Sequence, residues 1–268
     1  MIKALVAGAG GRMGGRITAA LDGQENIVLA GAFEKKGHRA LGMDAGIVGG
    51  VGNKGIPVEE RLESIISAGD VIIDFTDPEA TLRHVEIAVA HDKAMVIGTT
   101  GMDTDQKGEL EKAARKIPIV FAPNTSVGVN LLFKVLSDVA PILGDAYDVE
   151  IVESHHRYKK DAPSGTAKRM AEIIASALDR NTDESVVYGR SGMVGERKKG
   201  EIGVFSMRGG DIVGEHTVTF AGLGDRVEFT HRAHSRDTFA RGAVRAANWV
   251  VGRVPGLYDM MDVLGLKK

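Results

Sequence analysis

The 268-residue chain has no cysteine. Disulfides, zinc–thiolate sites and any thiol nucleophile are excluded together. It has little net charge, −2 at neutral pH, which argues against a surface built throughout for nucleic acid. No basic helix–turn–helix is visible. No apolar run approaches the roughly 18 residues a membrane span requires, and the N-terminus enters a strand with no signal-peptide pattern. Internal repeats, low-complexity tracts and Ser/Pro linkers are also missing. A soluble cytoplasmic protein is expected, with no nucleic-acid or membrane partner and no metal site.

What is present is an ordinary globular composition, 43% apolar and 26% charged, with 35 glycines. The length suits two domains. Ile2–Ala7 reads as a buried strand, and G-A-G-G-R-M-G follows at 8–14, with a helix over 16–21. The G-x-G-x-x-G spacing fails because Met13 stands at its third position, but Gly8, Gly11 and Gly14 fit a G-x-x-G-x-x-G variant. Such a turn lets a pyrophosphate approach the backbone at a helix N-terminus. It also serves as a plain strand–turn–helix connection. The strand Ile27–Phe33 ends at Glu34, about 20 positions after Gly14, where an acid is expected to meet ribose hydroxyls. Lys35 and Lys36 either neutralise a 2′-phosphate or sit in a solvated loop.

Residues 38–57 read as a glycine-rich flexible loop, 59–67 and 79–91 as helices, and 70–75 and 94–97 as strands. Residues 98–101, G-T-T-G, bound a strand's carboxyl end and are candidates for the nicotinamide half. A helix over 103–116 and a strand over 118–121 complete an alternating pattern typical of a parallel sheet covered on both faces. From 127 the pattern changes: an apolar helix to 143, a strand over 148–153, a helix over 166–178, then strands over 201–207, 215–220 and 227–231. This is an α+β module with an open, mixed or mostly antiparallel sheet, whose edges suit pairing with another subunit. A last helix over 237–251 returns toward the first module. The expected fold class is α/β, a Rossmann-like doubly wound sheet (1–126 with 236–268) plus an α+β domain (127–235).

The stretch 150–166, E-I-V-E-S-H-H-R-Y-K-K-D-A-P-S-G-T, carries the chemistry. His155, Arg157, Lys159 and Lys160 follow a strand and precede a helix that starts near Gly165 and Thr166. A cationic cluster beside free helix N–H groups is a site for an anion with a proton donor next to it. His155 and His156 point to opposite sides of a strand, so one metal is not expected to take both. Asp161 and Ser164 read as turn and N-cap residues, and the other histidines as surface, cap or sheet-face residues.

These motifs resemble the 4-hydroxy-tetrahydrodipicolinate reductases, also called dihydrodipicolinate reductases, over essentially the whole chain. The resemblance rests on V-A-G-A-G-G-R-M-G at 6–14, I-D-F-T at 73–76, V-I-G-T-T-G at 96–101, N-T-S-V-G-V-N at 124–130, E-S-H-H-R-Y-K-K-D-A-P-S-G-T-A at 153–167 and G-D-I-V-G-E-H at 210–216. It implies NADH or NADPH as cofactor, held by Gly8, Ala9, Gly10, Gly11, Arg12, Met13, Glu34 and Lys35, with Gly98, Thr99, Thr100, Ala122, Pro123, Asn124 and Thr125 lining the nicotinamide side. It implies His155 as catalytic acid/base, Lys159 as proton donor, and His156, Gly165 and Thr166 as substrate-binding residues. The substrate is a small dicarboxylate, the pathway lysine and diaminopimelate biosynthesis, and the assembly a homotetramer. Thr125, where members often carry Phe, and Asp77, where some carry Arg, depart from the pattern and bear on the choice between dinucleotides. A non-catalytic dinucleotide sensor is the contrasting reading, but it needs no His-x-x-x-Lys pair. A phosphorylating semialdehyde dehydrogenase would need the cysteine this chain lacks.

Overall fold

The computed structural model describes residues 1–267. Two compact units are present: Met1–Val127 together with the chain from Arg236 on, and Gly128–Ser235. In chain order the first unit contains β1 (Ile2–Ala7), α1 (Arg12–Leu21), β2 (Ile27–Phe33), α2 (Ala45–Gly49), β3 (Val58–Glu59), β4 (Val71–Asp74), α3 (Pro78–Ala90), β5 (Ala94–Ile97), α4 (Thr104–Ala114) and β6 (Pro118–Phe121). Next come α5 (Val127–Leu143), β7 (Asp148–His155), α6 (Gly165–Ala177), α7 (Thr182–Ser185), β8 (Val186–Tyr188), β9 (Ile202–Arg208), β10 (Gly214–Ala221) and β11 (Arg226–Ala233). The first unit resumes with α8 (Asp237–Val250), β12 (Gly256–Tyr258) and α9 (Met260–Leu264).

The first unit is a seven-stranded sheet of order β12-β6-β5-β4-β1-β2-β3, parallel throughout. Its central strands read as continuous apolar runs because both faces are covered; Leu5, Val6, Ile72, Ile73, Met95 and Val96 are fully buried. On one face Ile17 and Leu21 of α1 pack with Ala243, Ala246, Ala247 and Val250 of α8. On the other, Val85 and Ala88 of α3 pack with Leu110 and Ala113 of α4. Strand order reverses between β1 and β4, the topological switch where such sheets bind ligands.

Three local readings change. The segment 59–67 is not a helix but part of β3 followed by two 3₁₀ turns, Leu62–Ser64 and Ile66–Ala68. Leu62 and Ile66 are buried at helical spacing, which mimics a helix. Yet Glu59 pairs with Phe33 in the sheet, and β4 begins at Val71, leaving room for single turns only. The loop 38–57 is organised by Asp44, whose carboxylate accepts from the N–H groups of Gly46, Ile47, Lys54 and Ile56 and caps α2. The first helix starts at Arg12, four residues early, and includes Gly14 and Gly15.

The second unit is a five-stranded sheet of order β11-β10-β7-β9-β8. Its pairs β10/β11 and β10/β7 are antiparallel and β7/β9 and β8/β9 parallel, so it is mixed rather than mostly antiparallel. The crossover through α6 between β7 and β8 permits the parallel half. Ala167, Met170, Ala171, Ile174 and Ala175 form the buried stripe of α6. Helix α5, with the 3₁₀ turn to Ala146, is long and apolar enough by length and composition to cross a membrane, contrary to the expected absence of such a run. Its Val129, Leu132, Phe133, Leu136 and Ala140 form a buried stripe at helical spacing, and Lys134 pairs with Asp138. That is the pattern of a helix packed on protein.

Candidate active site

In the first unit, β1, β4, β5 and β6 lie side by side, so the turns after them share one edge of the sheet. Gly8 adopts φ +62°, open to glycine at no cost. A Cβ on Gly14 would overlap the Gly8 carbonyl, so α1 can begin this close to the strand end only with glycine there. Gly11 caps α1 without a side chain, leaving a bare helix start suited to a pyrophosphate. Ala9 is buried, and the Gly10 N–H is already committed to Glu34 Oε1 at 3.1 Å. Glu34 is itself buried, with Oε2 accepting from the Lys35 N–H. A cleft of about 560 Å³ runs over this turn, lined among others by Gly8, Glu34, Lys35, Thr76 and His84.

The neighbouring turns are partly turned inward. Gly98 lies against the Phe75 ring, with no room for a Cβ. The Thr99 hydroxyl bonds to Thr81 at 2.8 Å, inside the sheet edge, while Thr100 is exposed. The Ala122 N–H donates to Ile97 O, and Pro123 follows it in the turn. Asn124 Oδ1 accepts from the Ser126 N–H. Thr125 is fully buried and donates to Phe239 O at 2.7 Å, so its hydroxyl faces α8. Asp77 caps α3. His84, expected to be a surface residue, bonds through Nδ1 to the buried Asp74 at 2.6 Å and meets the Phe33 ring edge-on.

In the second unit, register decides the site. His216 on β10 pairs with Glu153 on β7, and His155 with Arg208 on β9. Three adjacent strands thereby bring Glu153, His155, His216 and Arg208 together. Glu153 is fully buried. Its carboxylate accepts from both Arg208 Nη atoms (2.8 and 2.7 Å), from His155 Nδ1 (2.6 Å) and from the Ser164 N–H (3.0 Å). Burial alone would push its pKa up, but the bonds from Arg208 and His155 outweigh this and hold it at about 2. Facing an ionised carboxylate, His155 Nδ1 must carry the proton, which leaves Nε2 bare. Burial pushes the His155 pKa down despite Glu153, with Lys159 and Arg208 adding to the effect. The His155 ring is therefore neutral at pH 7. His216, buried edge-on to it at 5.3 Å, is pushed down to about 3 by burial.

Beyond His155 the chain turns tightly. The Lys159 N–H donates to His156 O; across to the β9–β10 turn, the Arg157 N–H donates to Gly210 O and His155 O accepts from the Gly209 N–H. Lys159 Nζ donates to both Asp161 oxygens at 2.9 Å. Arg208 also donates to Asp161 O. Ser164 caps α6 by accepting from the Ala167 N–H, and its Oγ meets His216 Nε2 at 3.1 Å. Gly165 and Thr166 form the first turn of α6. His156 Nδ1 is buried without a hydrogen-bond partner. Glu153, Arg208 and His216 escaped the sequence reading: alternation marked β7 and β10, but which residues face each other across strands 53 and 63 positions apart depends on register. The signal for Glu153 was its place two residues before His155, on the same strand face.

A dinucleotide-type sheet joined to a unit with a neutral histidine and a lysine in one cationic loop defines a two-domain nicotinamide oxidoreductase. Residues 2–125 match the family model described as dihydrodipicolinate reductase, N-terminus, and residues 128–264 its C-terminus. The chain belongs to the dihydrodipicolinate reductase family. It is 55% identical over 267 residues to the 4-hydroxy-tetrahydrodipicolinate reductase of Syntrophus aciditrophicus (strain SB). It is 54% identical to that of Citrifermentans bemidjiense. Both alignments cover 100% of each chain. The dipicolinate-bound dihydrodipicolinate reductase of Paenisporosarcina sp. TG-14 superposes with a TM-score of 0.76 at 26% identity, covering 98% of each chain.

Proposed function

We propose that His155 and Lys159 perform the proton transfers of this reductase, with His156, Gly165 and Thr166 binding a substrate carboxylate at the α6 N-terminus. The reaction is the NADH- or NADPH-dependent reduction of 4-hydroxy-tetrahydrodipicolinate, with loss of water, in lysine and diaminopimelate biosynthesis. When bound, the reduced nicotinamide supplies the hydride. The residues fit that group: the glycine turn packs too closely for a Cβ at Gly10 or Gly14, the α1 start at Gly11 carries no side-chain cap, and Glu34 is buried beside the turn. We assign Gly8 to Met13, Glu34 and Lys35 to the dinucleotide, with the turns 98–100 and 122–125 on its nicotinamide side.

Hydride addition to a ring carbon conjugated with C=N drives an electron pair onto the ring nitrogen. Lys159, its amine anchored by Asp161, donates a proton there. In the elimination that precedes hydride addition, His155, neutral and bare at Nε2, takes the proton from the ring carbon beside the hydroxyl-bearing one and returns it to the departing hydroxyl, which leaves as water. The cationic loop and the α6 first turn favour negative charge on the substrate. The Thr-rich open face of the second sheet, with Thr217 and Thr230 bonded across β10 and β11 and Val152 and Met207 exposed, supports assembly into a homotetramer.

The observation that carries this reading is the pairing of a carboxylate-held, uncharged His155 with a carboxylate-held Lys159 in one turn. The test mixes the protein with freshly made aspartate-semialdehyde/pyruvate condensation product and follows nicotinamide absorbance. His155→Gln and Lys159→Ala are each expected to lose about 10²–10⁴-fold in turnover while binding dinucleotide normally by fluorescence titration. Near wild-type turnover in both variants would refute the roles.

A further inference from the structure

A single carboxylate lies beneath the reacting groups. Glu153 Oε1 accepts from Ser164 N–H and Arg208 Nη2, and Oε2 from His155 Nδ1 and Arg208 Nη1. Each oxygen thus faces at least two donors, and the Ser206 side chain bonds to the same carboxylate. One bond sets the His155 ring, another the residue that caps α6, and the two from Arg208 keep the carboxylate ionised and oriented. On the other side of the ring, Gly214 leaves space: a Cβ there would stand 3.0 Å from His155 Nε2. Among the described residues, no other hydrogen bond to the His155 ring is found.

We propose that Glu153 is the positioning residue of the site: it fixes His155 as the Nδ1–H tautomer with Nε2 bare, and locks that ring in register with the first turn of α6. The physical reason is tautomer choice. A neutral imidazole has one donor and one acceptor nitrogen, and the partner of the buried nitrogen decides which is which. Without an acceptor at Nδ1, both tautomers are open to the ring, and half of the arrangements hide the acceptor lone pair from the substrate. Glu153 itself touches no reacting atom; it acts through His155 and Ser164. This rests on the reading of His155 as the proton-transfer group.

Glu153→Gln separates the possibilities. A glutamine of the same size places its NH₂ group against two donors in either orientation, because both oxygen positions are doubly occupied. One orientation turns the NH₂ toward His155 Nδ1 and the other keeps an acceptor there, so the ¹⁵N spectrum of the His155 imidazole in the uncomplexed enzyme near neutral pH is expected to show a mixed tautomer in place of a single protonated-Nδ1 signature. Turnover at saturating substrate is expected to fall about 10²-fold with dinucleotide affinity unchanged. In a His155→Gln background, Glu153→Gln should slow the enzyme no further. Retention of the Nδ1–H tautomer in the variant overturns the proposal, as does a tautomer change that leaves turnover intact, or full additivity with His155→Gln. If Glu153→Gln does not fold, Glu153→Asp carries the test. It keeps charge and acceptors but retracts them from the ring, so a mixed tautomer with reduced turnover supports the proposal and an unaltered ring spectrum overturns it. His155→Gln alone, active at the wild-type rate, sinks the underlying reading instead, while the ring spectrum still reports whether Glu153 sets the tautomer.

Discussion

The same pair of side chains is built twice. Asp74 at the end of β4 and Glu153 in β7 are both fully buried, and each accepts from a histidine Nδ1 at 2.6 Å. Their surroundings differ. Asp74 is bonded by Thr76 through N–H and hydroxyl and by the Thr81 hydroxyl, neutral groups that tie a strand end to α3. Glu153 is bonded by a guanidinium, and its histidine stands in a loop with Lys159. The lesson is that a carboxylate–histidine pair does not by itself make a reactive site. In the first unit it fastens a strand end to α3 beside the cleft over the glycine turn. In the second, a balancing arginine holds the carboxylate charged, so the histidine can stay neutral with Nδ1 as its donor nitrogen.

Acid separates the two regions most strongly. His216 has its folded pKa pushed down to about 3 from 6.5 by burial, so the unfolded chain binds a proton that the native one does not between those values. Native stability falls as pH drops from 6.5 to 3, by about 5 kcal/mol from this group. Glu153, depressed from 4.5 to about 2, contributes above pH 4.5 and is lost as pH falls to 2, a further loss of about 3 kcal/mol. Hydrogen exchange should show β7 and β10 amides losing protection before those of β1 and β4, and His216→Gln should delay that loss. Simultaneous loss across both sheets would erase the contrast.

Next in size is Arg208→Leu, which strands the Glu153 charge in the interior. We expect about 3–5 kcal/mol lost in urea unfolding of the second unit, most of it recovered by adding Glu153→Leu. The matching change in the first unit, Asp74→Ala, removes an acceptor shared by Thr76, Thr81 and His84. About 1–3 kcal/mol is expected, read by the same method, with kcat at saturating dinucleotide unchanged. A fall in kcat equal to that of Glu153→Gln would make the two pairs functional equals. The smallest effect falls on the rim of the cleft in the first unit. Lys35→Ala should weaken NADPH by about 1 kcal/mol, of the order of a partly exposed phosphate pair, and NADH by less, as measured by titration calorimetry. Equal weakening would remove Lys35 from the 2′-phosphate.

Several parts of this account were legible before any coordinates. Runs such as Ile2–Ala7, Ala94–Ile97 and Pro118–Phe121 match the observed strands, because a strand buried on both faces must be apolar along its length. Ser164 as N-cap was visible in local chemistry. Gly256–Tyr258 and Met260–Leu264 were not read as elements: a three-residue strand and a five-residue helix carry too few residues to show a period. Histidines 84 and 216 looked ordinary because their partners, Asp74 and Ser164, are 10 and 52 residues away.

The sequence by itself determined the two-part alternation of elements, the glycine turn after β1, and the H-H-R-Y-K-K loop ahead of a capped helix. All are set by neighbours within a few residues, where propensity, periodicity and turn chemistry act. Only the tertiary structure decided that β9 lies parallel to β7 and β10 antiparallel on its other side, and hence that Arg208 and His216 converge on Glu153. Strand register is a property of packing between distant segments. A shift of one residue would turn each of these side chains to the opposite face of the sheet.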